Sequence, residues 1–109
     1  MEFKGTPGKF MAHTEVAQWY AFENKFFEVT DEKNQIIAFV KDWNGAGEQP
    51  KYDAKLLAAA PDLLHSLQKL LTEYKFTRSQ LNGDTEEDLV DVLCVRNAVI
   101  AINKALGRE

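Results

Sequence analysis

The feature that most constrains this chain is a change of period near its middle. Before residue 44 the sequence is dense in aromatic and β-branched residues, as in EVAQWYAFENKFFEVTDEKNQIIAFVKDW. After residue 50 apolar residues recur at helical spacing, as in KYDAKLLAAAPDLLHSLQKLLTEY. Side chains alternate faces along a strand and return every 3.6 residues along a helix, so the two halves require different architectures. Between them lies NGAGEQP, residues 44–50, with two glycines, a proline and no apolar side chain beyond Ala46. It reads as a linker.

The front half predicts an antiparallel meander with strands near 16–21, 25–30 and 35–42, preceded by a short strand at 9–13. Glu23-Asn24 and Asp31-Glu32-Lys33-Asn34 are the polar turns between the main strands. In the back half, Asp53 or a neighbour caps a first short helix. Pro61, which lacks an N–H and disfavours helix at the residue before it, predicts a kink or a fresh start. Leu63, Leu64, Leu67, Leu70, Leu71 and Tyr74 then form an apolar face. Asn82-Gly83 stops this helix, and Asp84 with Glu87 suits a capping box for a last helix over about 85–106, closed by Gly107. The expectation is one α+β domain of 109 residues: a β-rich part (1–43) packed with a kinked helix and an antiparallel partner helix (51–109). A core of this size is modest, so a homo-oligomer is expected.

Net charge −4 and pI near 5.2 argue against a nucleic-acid polymer as partner, because that role needs a basic surface. No apolar run approaches a membrane span, no signal-peptide core opens the chain, and Cys94 is the only cysteine. A cytoplasmic protein without a membrane partner is expected, with Cys94 a structural thiol in a helix. His13 and His65 sit in different elements without ligands at metal spacing, and His65 falls opposite the leucines, as a solvated residue does. Glu86, Glu87, Asp88 and Asp91 crowd a helix start, where acids complement the dipole. TPGKF, residues 6–10, lacks the upstream glycine and following hydroxyl of a phosphate loop, and reads as a turn aligning the first strand. No nucleophile elbow, phosphate loop or zinc-protease motif is present, so neither catalysis nor a cofactor nor a metal is expected.

The functional lead is Arg96. On one continuous helix, Leu89, Val92, Leu93, Val99 and Ile100 project to one side, with Arg96 in the middle and Asn103 beside it. A buried guanidinium must meet a carboxylate, carbonyls, water or an anion. One reading is structural: Arg96 snorkels, or pairs with an acid on the facing helix or across a subunit interface. The other is anion recognition, with Arg96 forking onto a phosphate and Asn103 reading a base edge. Phe76 then serves as a stacking surface and Arg78 as a second phosphate contact. Trp19 and Trp43 fit core or interface better than a base platform.

TPGKF together with DAKLLAAAPDLLHSLQKLL and the terminal AVIAINKALG resembles a widespread group of small phage and prophage proteins. Those proteins begin Thr-Pro-Gly-(Pro/Lys)-(Trp/Phe) and carry an Ala-Lys-Leu-Ile-Ala-Ala-Ala-Pro-Glu-Leu-Leu segment. Phe10 stands where tryptophan is commoner and His65 where glutamate is frequent. The outline also resembles the anti-Thoeris sponges, oligomers with an antiparallel sheet followed by helices that sequester cyclic ADP-ribose-type signals. That resemblance implies a phage anti-defence protein holding a small cyclic nucleotide-type ligand without cleaving it. The alternative expectation is a small protein-interaction module that binds and inhibits a host protein.

Overall fold

The computed structural model describes residues 3–13, 17–18, 25–41, 48–85, 88–89 and 92–108. Its elements are β1 (Met11–Ala12), β2 (Ala17–Gln18), β3 (Lys25–Thr30), β4 (Ile36–Lys41), α1 (Glu48–Asn82) and α2 (Leu93–Leu106). This is the expected α+β class, an antiparallel sheet followed by helices. The chain divides into two compact units, Gly5–Asp62 and Leu63–Glu109 with Met1–Lys4, and the division falls within α1.

In the first unit β3 is the central strand. β4 pairs along it from Phe26 to Thr30, so β1 and β2 both lie on its other edge, Ala12 opposite Val29 and Ala17 opposite Phe26. Of the expected strands at 9–13 and 16–21, Met11–Ala12 and Ala17–Gln18 thus lie along the same edge of β3, and residues 14–16 and 19–21 lie outside the described residues. Phe27 stands opposite Val40 and Val29 opposite Ala38, placing all four on one face. That face closes on α1 through Ala54 and Ala58, with Phe10 and Ala12 completing the cluster. Alanine on the helix is what permits close approach, and Phe27, Val29 and Ala54 are almost completely buried. On the other face Phe26 tilts against Phe39, ring centroids 5.3 Å apart. The register slips by one residue beyond Val29, leaving Ile37 as an extra residue in β4.

The β3–β4 turn is built by Asp31, a buried carboxylate whose Oδ1 accepts the N–H groups of Lys33 (2.9 Å) and Gln35 (2.8 Å). Asn34 takes the left-handed conformation the turn requires, φ 61°. The TPGKF segment turns back onto this hairpin. The Lys9 N–H donates to Glu32 Oε1 at 3.1 Å, and Gly8 (φ +84°) sits so close that an added Cβ would lie 2.7 Å from Glu32 Cδ. This turn is occupied by an internal carboxylate, in keeping with its aligning role. His13 Nε2 and the buried Thr30 Oγ1 share a hydrogen bond of 2.9 Å beside it.

The helices depart from expectation in three places. α1 starts at Glu48, so residues 48–50 of the anticipated linker are helical and Asp53 lies inside the helix rather than capping it. Pro50 is tolerated there because first-turn N–H groups have no intrahelical acceptor. The helix also runs through Pro61 without a fresh start, so the ladder bond to the Leu57 carbonyl is forgone.

The second unit carries the third departure. The capping box forms one residue later than expected: the Thr85 N–H donates to Asp88 Oδ2 (2.8 Å) and the Asp88 N–H to Thr85 Oγ1 (3.3 Å). A helical turn follows, with the Leu89 N–H on the Thr85 carbonyl. Val92 is then extended (φ −69°, ψ 123°), and α2 begins anew at Leu93. Gly107 ends α2 in the left-handed region as anticipated, its N–H on the Lys104 carbonyl and that of Arg108 on Asn103. The apolar sides of the helices meet around a cavity of about 300 Å³ lined by Leu67, Leu71, Tyr74, Val95 and Ala98, among others. The expected leucine face is half-buried at best: Leu63 and Leu70 are exposed.

Candidate functional site

The break at Val92 changes what Arg96 is. On a continuous helix from 85 to 106, Leu89 and Leu93 would share a face with Arg96 and Ile100. The extended Val92 resets the phase. Leu89 is 1% exposed, whereas Leu93 and Ile100 are 70% and 58% exposed. In α2 the inward side carries Val95 and Ile102, seven residues apart. Arg96 lies about 100° around the helix from Val95 and is exposed. The buried guanidinium of the sequence reading is therefore corrected: Arg96 is exposed, between Leu93 and Ile100, which are themselves mostly exposed. Its side chain makes no hydrogen bond or ion pair with any described residue.

The other three residues of the anticipated pocket are dispersed. Asn103 is half-buried, and its Oδ1 accepts from Arg108 Nη2 at 2.9 Å. It lines a cavity of about 380 Å³ with Ile100, Lys104 and Arg108. Phe76 is exposed and lines a different cavity, of about 440 Å³, with Thr72, Ser79 and Leu89. Arg78 is engaged within the chain. Its Nε donates to Asp84 Oδ2 at 2.8 Å, its Nη1 donates to Tyr74 Oη at 2.8 Å, and the guanidinium lies over the Tyr74 ring. The Tyr74 hydroxyl, then Asp84, holds its pKa above the ordinary arginine value despite partial desolvation. Arg78 thus ties the end of α1 to the Asp84 loop, its Nε on Asp84 and its Nη1 on Tyr74.

The cation set that sequence reasoning missed is Lys104 and Arg108, next to Asn103. The signal was legible in SQLNGDTEEDLVDVLCVRNAVIAINKALGRE: from Val92 to Arg108 there are three basic residues and no acid. α2 is a basic amphipathic helix in an acidic chain.

Cys94 is exposed rather than packed away and borders the apolar cavity between the helices. His65 is exposed. Among the described residues no group of three or more His, Cys, Asp or Glu side chains could hold a metal ion. None of the described helices is long and apolar enough to cross a membrane. Trp19, Trp43, the Glu23-Asn24 turn, Glu86, Glu87 and Asp91 lie outside the described residues. Asp88, described, is held below the usual aspartate range by the backbone N–H of Thr85 and then by its hydroxyl.

Comparison with curated proteins and with solved structures gives no match. A family model does match, over residues 1–109, and by it the chain belongs to the phage family of Salmonella phage P22 protein Y8K6.

Proposed function

We propose that this chain is a phage accessory protein that works by non-covalent binding of a host protein in the cytoplasm of the infected cell, without catalysing a reaction. The observation that carries this reading is the balance of apolar surface in the helical unit. Among its described residues Leu89, Val95 and Ile102 are buried, while Leu63, Leu70, Phe76, Leu81, Leu93 and Ile100 are all more than half exposed. A unit that exposes more large apolar side chains than it buries offers a binding surface. Arg96 in the midst of that surface is a charge suited to set specificity, because an ion pair formed on docking rejects partners that leave the guanidinium unmatched. The test is recovery of the tagged full chain from infected cells. A host protein retained in stoichiometric amount supports the reading, and recovery of the chain without one overturns it.

A second reading is favoured by the basic cavity at the end of α2. Asn103, Lys104 and Arg108 surround a space of about 380 Å³, a volume in the range of small-molecule sites. Two cations and an amide suit a phosphate-bearing cyclic nucleotide, sequestered intact as a cyclic ADP-ribose-type signal and completed by a second subunit that brings Arg96, Phe76 or Arg78 near. Native mass spectrometry with a panel of cyclic ADP-ribose isomers and cyclic oligonucleotides separates the two. One unaltered adduct per site, lost in Arg108→Ala, would establish sequestration. Spectra without adducts would dismiss it.

A further inference from the structure

We infer that the outer face of α2 receives an amphipathic helix with acidic flanks, supplied by the partner protein; this inference rests on the protein-binding reading above. Leu93, Arg96, Ile100 and Asn103 follow one another at spacings of three, four and three residues. That is the spacing of a seam along which two helices pack, and it stands on the side of α2 away from Val95 and Ile102. Leu93 and Ile100 are the apolar knobs of the seam, both mostly exposed. Arg96 and Asn103 alternate with them at the positions where a polar residue fixes register and partner at some expense in stability. The arginine in the hydrophobic stripe is thereby accounted for: it is a specificity residue of an interface that this chain only half supplies.

Charge decides the occupant. Helix α2 carries Arg96 and Lys104 and no acid, and Arg108 follows just past its Gly107 cap, on a chain whose net charge is −4. A second copy of α2 laid against this face would set cations against cations, which destabilises a helix pair. A helix with leucine-type knobs and Glu or Asp on its flanks would match all three, and Arg96 would fork onto a carboxylate with two parallel hydrogen bonds. The seam runs from Leu93 to Asn103 along a 14-residue helix, so about 15 Å of partner helix is engaged.

The probe is a fluorescein-labelled 21-residue designed peptide, with Leu along one seam and Glu at the flanking positions, titrated with the full chain in fluorescence anisotropy. The same peptide with Lys flanks and a 20-base-pair DNA duplex serve as controls. The Glu peptide is expected to bind at least tenfold more tightly than the Lys peptide. Arg96→Glu and Leu93→Asp should each weaken it at least tenfold, and circular dichroism of both variants should match the parent because both side chains are exposed. Equal binding of the Glu and Lys peptides, insensitivity to both substitutions, no binding, or tighter capture of the duplex each overturns the inference. So does a dimer in sedimentation equilibrium that Leu93→Asp dissolves, since a second copy would then cover the face. A host protein retained equally by Arg96→Glu and Leu93→Asp overturns this face while leaving protein binding in place; loss of any stoichiometric partner from the parent chain overturns both.

Discussion

Gly8→Ala tests how the TPGKF turn is held, and its effect can be assembled from two separate contributions. The backbone at Gly8 has φ +84°, where an L side chain meets the following carbonyl. That conformation costs roughly 1–2 kcal/mol for a residue with a Cβ. The added Cβ would also stand 2.7 Å from Glu32 Cδ and 2.8 Å and 2.9 Å from its oxygens, so the carboxylate must withdraw. Withdrawal breaks the 3.1 Å hydrogen bond from the Lys9 N–H. Being exposed, that bond contributes at the low end of the usual range, about 0.5 kcal/mol. The sum is about 2 kcal/mol, or a fall in Tm of about 8 °C for a chain of this size. Urea unfolding of the parent, Gly8→Ala, Glu32→Ala and the double variant separates the contributions. In the Glu32→Ala background the glycine substitution should cost only the backbone strain, leaving a coupling of about 0.5 kcal/mol or more. A Gly8→Ala chain within 0.5 kcal/mol of the parent would refute the strained-turn account. A strictly additive cycle would refute the Glu32 clasp while keeping the strain.

Phe27→Ala removes a ring that is 2% exposed between sheet and helix, and should cost about 3–5 kcal/mol in urea unfolding. Pro61→Ala restores an N–H to the Leu57 carbonyl and should raise stability by about 2 kcal/mol in the same assay, less than the full helical penalty because proline also restrains the unfolded chain. Gly107→Ala meets no neighbouring atom but must adopt φ 76°, so thermal melts should show a loss of about 1 kcal/mol. Asp88 titrates lower in the folded chain than in the unfolded one, where its pKa is about 3.9. The unfolded state therefore binds more protons in that interval. The stabilisation from Asp88 is present above about pH 4 and is lost as pH falls through the depressed folded value. Urea midpoints of the parent and Asp88→Asn should differ most at neutral pH and converge in acid.

Several features were readable from local chemistry alone. The strands at 25–30 and 35–42, the turn at Asp31–Asn34 and the stop at Gly107 each depend on neighbours within a few residues: β-branched and aromatic runs, an aspartate that bonds the N–H groups ahead of it, and a residue without a Cβ. The reach of α1 through Pro61 was not readable, because a single lost ladder bond is outweighed by the helical turns on both sides and by Ala54 and Ala58 closing on the sheet. Nor was the candidate site. Arg96 and Asn103 were grouped by projecting one unbroken last helix, with Phe76 and Arg78 added from the helix before it. The extended Val92 resets that projection, leaving Leu89 buried and Leu93 and Ile100 exposed. Periodicity reports which residues share a face but not which face is covered.

What this sequence determined by itself is the order of its elements, the turns between its strands and the basic, apolar character of its last helix. These follow from backbone sterics, turn chemistry and charge, all of short range. Tertiary structure alone decided that Arg78 is claimed by Tyr74 and Asp84, that Gly8 makes room for Glu32, and that Val95 and Ile102 face inward while Leu93, Arg96 and Ile100 do not. The Arg78 contacts span only four and six residues but depend on where α1 ends. The other outcomes depend on which surfaces meet across longer stretches of chain, and burial is set by the meeting rather than by the residue.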